Sequence, residues 1–160
     1  MKQTKKEMSA GMRTRSTKPW LLSDGYAQRQ IDVEAIVYAQ ADGMYSMLVI
    51  TRHISRVNAR GEIIATDDKE VISLSSPLCA IESVLPEEIF VRVSRSYVIN
   101  IWKIKAIHGN TLSMSTGEYI HIGETYRHAL DGRFNIIKIR RSEESSGGSE
   151  RKPQNEEKTR

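Results

Sequence analysis

The sequence predicts a mostly-β domain carrying one or two short helices. Two observations point to strands. From Ile31 to about residue 74, runs rich in β-branched and aromatic residues are separated by turn signals, with no window at the helical period. Residues 90–107, FVRVSRSYVINIWKIKAI, then alternate apolar and polar side chains at a period of two. Phe90, Val93, Tyr97, Ile99, Ile101, Ile104 and Ile107 interleave with Arg92, Arg95, Asn100, Lys103 and Lys105, and slips near Ser94 and Trp102 mark turns or bulges. A third observation limits the helices: their punctuation is confined to two short stretches, one opening at Ser75-Ser76-Pro77 and one at Thr125.

The elements follow in order. Residues 1–25 mix Lys, Arg, Ser, Thr and Met with little periodicity and read as a basic flexible arm, in which Trp20, Leu21 and Leu22 alone can dock. That arm is either a plain tail or a source of sequence-independent phosphate attraction. The domain itself is assigned to residues 26–141. IDVEAIVYAQ enters a core as a strand, Ala41-Asp42-Gly43 turns, and MYSMLVITRHI gives a second strand ending at Arg52, His53 and Arg56. Asn58 to Gly61 is a further turn, and GEIIATDDKEVISL suggests a hairpin about Asp67-Asp68.

In SSPLCAIESVLPEE, Ser75 or Ser76 can cap a helix with Pro77 at its first position, Leu78, Ile81 and Leu85 on one face, and Pro86 as its stop. Cys79 within it reads as a small buried side chain. HGNTLSMSTGEYIHI gives two short strands. A last helix is expected from Thr125 to Leu130, stopped by Asp131-Gly132, and residues 135–141 extend it or add an edge strand. Residues 142–160, rich in Ser, Gly and charge, read as a disordered polar tail.

Composition narrows the function. A chain of 160 residues with 39% hydrophobic content has room for one domain of about 110 residues plus polar tails. No apolar run approaches the ~20 residues of a membrane span, and the N-terminus has no apolar signal core, so no membrane partner is expected. One cysteine excludes an internal disulfide framework and fits a reducing cytoplasm.

The net charge of +4 is unevenly placed. Residues 1–25 hold six Lys+Arg against two acids, residues 26–140 thirteen against thirteen, and residues 141–160 five against five. Within the neutral core the acids Glu62, Asp67, Asp68, Glu70, Glu82, Glu87 and Glu88 precede Phe90. Arg92, Arg95, Lys103 and Lys105 then follow with no acid before Glu118.

Enzyme chemistry finds no purchase. His53, His108, His121 and His128 are scattered around a single thiol, so neither a zinc site nor any other metal or cofactor is expected. GNTLSMSTG lacks the lysine of a phosphate loop, Ser94-Arg95-Ser96 lacks the glycines of a nucleophile elbow, and the paired carboxylates fall at expected turns.

LPEEIFVRVSRSYVINIWKIKAI resembles the signature of LytTR-type (LytR/AlgR family) bacterial DNA-binding domains. There Leu-Pro, a Phe, an Arg/Val strand, a His-Arg-Ser-Tyr-like tetrad, an Asn and an Ile-rich strand follow in that order. IVYAQADGMYSMLVIT resembles the family's first hairpin, PLCAIESVLP its short helix, and TGEYIHIGETYRHAL its closing strand and helix, so the resemblance spans roughly residues 30–130. It implies short antiparallel sheets in an elongated β-β-β arrangement that bind promoter DNA, as direct repeats, through loops in the major groove. Its three DNA-facing regions fall here at 44–46, with Tyr45 and Ser46; at Arg95, with Arg92, Asn100, Lys103 and Lys105 near it; and at 125–127, with Thr125 and Arg127.

The chain departs from that pattern at Ser94, where the family has His, at Gly123-Glu124, where a Ser-Arg pair is common, and in a longer hairpin over 56–71. The 25 arm residues hold no receiver domain, so a stand-alone regulator is expected. Several readings stay open. Arg95 contacts DNA or pairs with Glu87 or Glu88; Asn100 contacts DNA or satisfies a turn; Lys103 and Lys105 neighbour phosphates or are merely solvated. Arg52, His53 and Arg56 flank DNA or are strand-end residues in water. For the whole chain, a sequence-specific regulator of double-stranded DNA, alone or as a homodimer on DNA, stands against a non-enzymatic interaction module that pairs with a separate regulator protein.

Overall fold

The computed structural model describes residues 18–23 and 25–140. Residues 1–17 of the expected arm and all of the expected tail lie outside that range. Within it the chain runs through β1 (Trp20–Ser23), β2 (Gln28–Ile31), a 3-10 turn (Val33–Ala35), β3 (Ile36–Asp42), β4 (Tyr45–Val57), β5 (Ile63–Leu74) and α1 (Leu78–Val84). It continues through β6 (Phe90–Arg92), β7 (Tyr97–Asn100), a 3-10 turn (Ile101–Lys103), β8 (Ile104–His108), β9 (Thr111–Met114), β10 (Tyr119–His121) and a last 3-10 turn (Glu124–Tyr126). Among the described residues the strands form three antiparallel sheets: β1-β2, β10-β9-β8 and β5-β4-β3-β7-β6. The mostly-β expectation holds.

The five-stranded sheet lies between two layers, which is why residues 36–39 are buried without a break rather than alternately. On one side Val37, Val49, Val91, Val93 and Ile99 pack against Leu112, Met114, Ile120 and Ile122 of the three-stranded sheet and its exit. On the other, Ile36, Leu48, Ile50, Leu74, Phe90 and Val98 pack against Leu78 of α1 and Val33, with Trp20, Leu22 and Ile31 of the β1-β2 pair over them. A register shift between Ile36 and Tyr38 turns Val37 and Tyr38 toward the same layer. The docking role expected of Trp20 and Leu22 is thus met through a strand, β1, which the aperiodic arm sequence did not suggest.

Further expectations are corrected. Asp67-Asp68 makes no turn; β5 runs straight through it, and the chain reverses at 58–61. Asn58 holds that reversal: its Oδ1 accepts from the amides of Arg60 (2.8 Å) and Glu62 (2.9 Å), and Gly61 takes a φ of +81° that side chains disfavour. Cross-strand partners offset the turn preference of the aspartates, Asp67 pairing with His53 and Asp68 with Arg56 at 3.3 Å. Arg52 and His53 accordingly lie within β4 and Arg56 one residue from its end; all three are solvent-exposed and each has an acidic partner.

The helix α1 has no side-chain cap from Ser75 or Ser76; Pro77 itself stands at the cap with extended ψ, and Cys79 is exposed rather than buried. The stretch 125–130 forms a 3-10 turn and successive tight turns instead of a helix, the Ala129 amide donating to Tyr126 O (2.9 Å) at i,i+3 spacing. Residues 135–140 carry no regular structure. No described helix is long and apolar enough to cross a membrane.

Candidate nucleic-acid interface

Backbone hydrogen bonds bring three turns to one end of the five-stranded sheet. The β3-β4 turn lies beside the β6-β7 turn because β3 and β7 pair with Gln40 opposite Tyr97, and the amide of Ala41 donates to Ser96 O at 2.8 Å. The 122–127 segment joins them through the amide of Gly123, which donates to Val93 O at 2.8 Å. A Cβ on Gly123 would stand 3.3 Å from Tyr126 Cδ2 and 3.6 Å from the Cβ of Ser94, so glycine permits this approach. These turns carry Tyr45, Arg95, Thr125 and Arg127, all exposed.

Arg95 projects from the turn between β6 and β7, and that turn is built from its neighbours. Ser94 Oγ accepts from the amides of Ser96 and Tyr97, each at 3.1 Å. In this chain the serine at the family's histidine position thus closes the turn as a local acceptor. Arg92 braces it from behind: Nε donates to Ser94 O (2.7 Å), Nη2 to Arg95 O (2.7 Å), and Nη1 pairs with Glu82 of α1 (2.6 Å). Arg95 itself has no ion pair among the described residues, so the pairing with Glu87 or Glu88 is not formed; Arg133 Nη1 instead takes the carbonyl of Glu87 at 2.9 Å.

Three sequence-predicted site residues take other roles. Arg92 is a brace with its side chain only 21% exposed. Asn100 is 0% exposed and fully used: Nδ2 donates to Ile36 O (2.8 Å) and Glu34 O (3.3 Å), while Oδ1 accepts from the Trp102 amide (2.8 Å). It knits the start of β3 to the end of β7 and caps the 3-10 turn, so it has no surface to offer a ligand. Ser46 is also 0% exposed, its Oγ donating to Ser76 O at 2.7 Å.

Lys103 and Lys105 are solvent-accessible but lie apart. Lys103 follows the opposite end of β7 from Arg95, about 13 Å away for four residues of strand, and Lys105 lies on β8, which runs from there to the 108–110 turn. One neighbour was missed. The 108–110 turn, read only as a turn, abuts the site because the Ile122 amide donates to Asn110 O at 2.7 Å, and its His108 and Asn110 are exposed. No sequence signal marks that proximity.

Behind this end a polar cluster fastens the two larger sheets together. Lys69 of β5 pairs with Glu118, which also accepts from Thr116 Oγ1. Burial pushes the Glu118 carboxyl up, but the hydrogen bonds from Lys69 and Thr116 outweigh it and hold the group below its usual range. The bond to Glu118 raises Lys69. Burial, reinforced by Glu118, raises the Tyr38 phenol, whose ring lies 5.8 Å from that of Tyr97. On the other face Arg29 of β2 grips Glu70 of β5 at 2.6 Å, which lowers the Glu70 carboxyl. The described residues hold no cluster of metal-ligating side chains.

Comparison with known proteins follows the same lines. No curated protein matches the chain. Among solved structures it is similar to a LytTr DNA-binding domain from Bacillus cereus, taken from a protein named as a methyl-accepting/DNA response regulator. The identity is 19%, with 68% of this chain and 88% of that chain covered, at a TM-score of 0.49. The family model described as the LytTr DNA-binding domain matches residues 27–135, more than half of the chain. This chain belongs to the LytTr DNA-binding domain family.

Proposed function

We propose that this domain binds double-stranded DNA in a sequence-specific manner, as a transcriptional regulator, by presenting its three-turn end to the major groove. One observation carries the reading: the turns bearing Tyr45, Arg95, Thr125 and Arg127 are hydrogen-bonded into a single end, and Arg95 stands there exposed without an ion pair among the described residues. An unpaired guanidinium on a braced turn suits bidentate contact with guanine or phosphate, because little of its support must be ordered on binding. Thr125 and Arg127 supply a hydroxyl and a second cation, and Tyr45 a phenol. Glu124, exposed beside them, repels phosphates and is suited to accept from a cytosine amine. Residues 1–25, with six Lys+Arg against two acids, add sequence-independent attraction.

The test is selection from random duplex DNA with the whole chain and with Arg95→Ala. The expected result is an enriched motif that the variant fails to recover. Recovery of no motif by the parent chain, with binding abolished by modest salt, would replace this reading with a protein-interaction role for the same fold.

A further inference from the structure

Away from the proposed DNA-binding end, two features of the molecule complement each other. The five-stranded sheet ends on β5, which has no strand on its outer side among the described residues. Its middle is charged, Asp67-Asp68-Lys69-Glu70, and the adjoining Val71 is 51% exposed although it lies opposite Val49, which is buried. An open edge of this length is a template for another strand, and its mix of Val71 and Ile72 with Asp68, Lys69 and Glu70 sets what that strand must carry. The second feature is the segment 135–140, Asn-Ile-Ile-Lys-Ile-Arg. Ile136, Ile137 and Ile139 are 75%, 87% and 85% exposed, and the segment makes no hydrogen bond with other described residues. Three β-branched residues in six favour a strand, and none of the described strands receives one.

We propose that residues 135–140 of one molecule add as an antiparallel strand to the β5 edge of a second copy of this chain. Register selects this pairing. With Ile137 opposite Val71, Ile136 meets Ile72, Lys138 meets Glu70, Arg140 meets Asp68 and Asn135 meets Ser73, leaving only Ile139 beside Lys69 as a mixed pair. Sliding by one residue sets Lys138 against Lys69 or Arg140 against Lys69. A parallel strand through the same central pair sets Ile136 against Glu70 and Lys138 against Ile72. One register therefore joins apolar to apolar on both faces and, on the face of Glu70 and Asp68, sets a cation beside each acid, sharing it with Arg29 and Arg56.

The same molecule's β5 is out of reach. The Arg133 amide bonds Leu130 O, and its side chain bonds the Glu87 carbonyl next to β6, at the opposite edge of the sheet. From β6 to β5 is four strand steps, about 19 Å, whereas the two residues from Arg133 to Asn135 span about 7 Å. Reciprocal exchange closes a two-fold dimer, and one-way exchange continues head to tail. The contact does not involve the turns that carry Arg95, so it stands or falls separately from DNA binding.

The experiment uses the full chain with Cys79→Ser, which removes the exposed native thiol. Ile137→Cys and Val71→Cys are made as separate proteins, then oxidised alone and as an equal mixture. The mixture is expected to give a covalent dimer containing one of each, well above the dimer formed by either alone. Sedimentation of the parent is expected to show at least a doubling of mass as concentration rises to about 100 µM. Ile137→Lys, at an exposed site, is expected to leave a folded monomer. Two outcomes would overturn the proposal: a parent that stays monomeric throughout, or a mixture that gives no mixed dimer while Ile137→Cys/Val71→Cys in one chain closes within that chain.

Discussion

Replacing Arg92 separates bracing from contact. The sequence placed Arg92 with the DNA-binding residues, whereas the structure commits its guanidinium to two turn carbonyls and to Glu82. Each carbonyl bond lies near the surface, where water can replace the lost donor, so each contributes about 0.5–1 kcal/mol. The pair with Glu82, whose side chain is 42% exposed, adds about 0.5–1 kcal/mol after solvent screening. Arg92→Ala should therefore destabilise the domain by about 1.5–3 kcal/mol, lowering Tm by roughly 6–12 °C for a domain of this size. DNA affinity should fall for the variant because the Arg95 turn is no longer held. The slope of log affinity against log salt should stay unchanged, since no phosphate contact is lost. Arg95→Ala should behave oppositely, keeping Tm and costing about 1–3 kcal/mol of binding to the preferred sequence. Thermal melts paired with salt titrations of duplex binding give both quantities. An Arg92→Ala protein with parental Tm and a salt slope reduced by about 1 would refute the brace and return Arg92 to the phosphates.

Other consequences follow from the same structure. Asn100→Ala removes a buried side chain serving three backbone partners and should cost about 2–4 kcal/mol in chemical denaturation, leaving the salt slope of DNA binding unaltered. Glu118→Gln should cost about 0.5–1 kcal/mol at neutral pH. Because the folded carboxyl titrates below its ordinary value of 4.5, that contribution is complete above about this pH and fades as pH falls through the depressed value. Melts of parent and variant should therefore converge in acid, and a gap that widened there would contradict the assignment. Cys79, exposed on α1, should react with a thiol reagent in the native state without waiting for unfolding, and protection until denaturation would show it buried.

Local chemistry was legible where it acted alone. The β-branched runs from Ile31 to Leu74, the reversal at 58–61 and the short strands around Leu112 and Ile120 all follow from side-chain pattern and turn residues. The sequence reading failed where a distant partner overruled the local preference. Asp67-Asp68 prefers a turn until His53 and Arg56 face it across the strand. Asn100 looks like a reader of bases until the carbonyls of Glu34 and Ile36, more than sixty residues earlier, are brought to it. At the site, Arg95 and its turn were visible in the pattern of 90–107. Their grouping with Tyr45 and Arg127 rests on the Ala41–Ser96 and Gly123–Val93 backbone bonds, which have no signature in side-chain order.

The central claim is that duplex DNA meets the three-turn end. It is tested most directly by following backbone amide resonances of the labelled chain as an enriched duplex is added. Shifts should concentrate at 43–45, 94–96 and 123–127, with little change in the 52–66 hairpin. Shifts centred on that hairpin, or on Lys103 and Lys105 with the Arg95 turn silent, would contradict it.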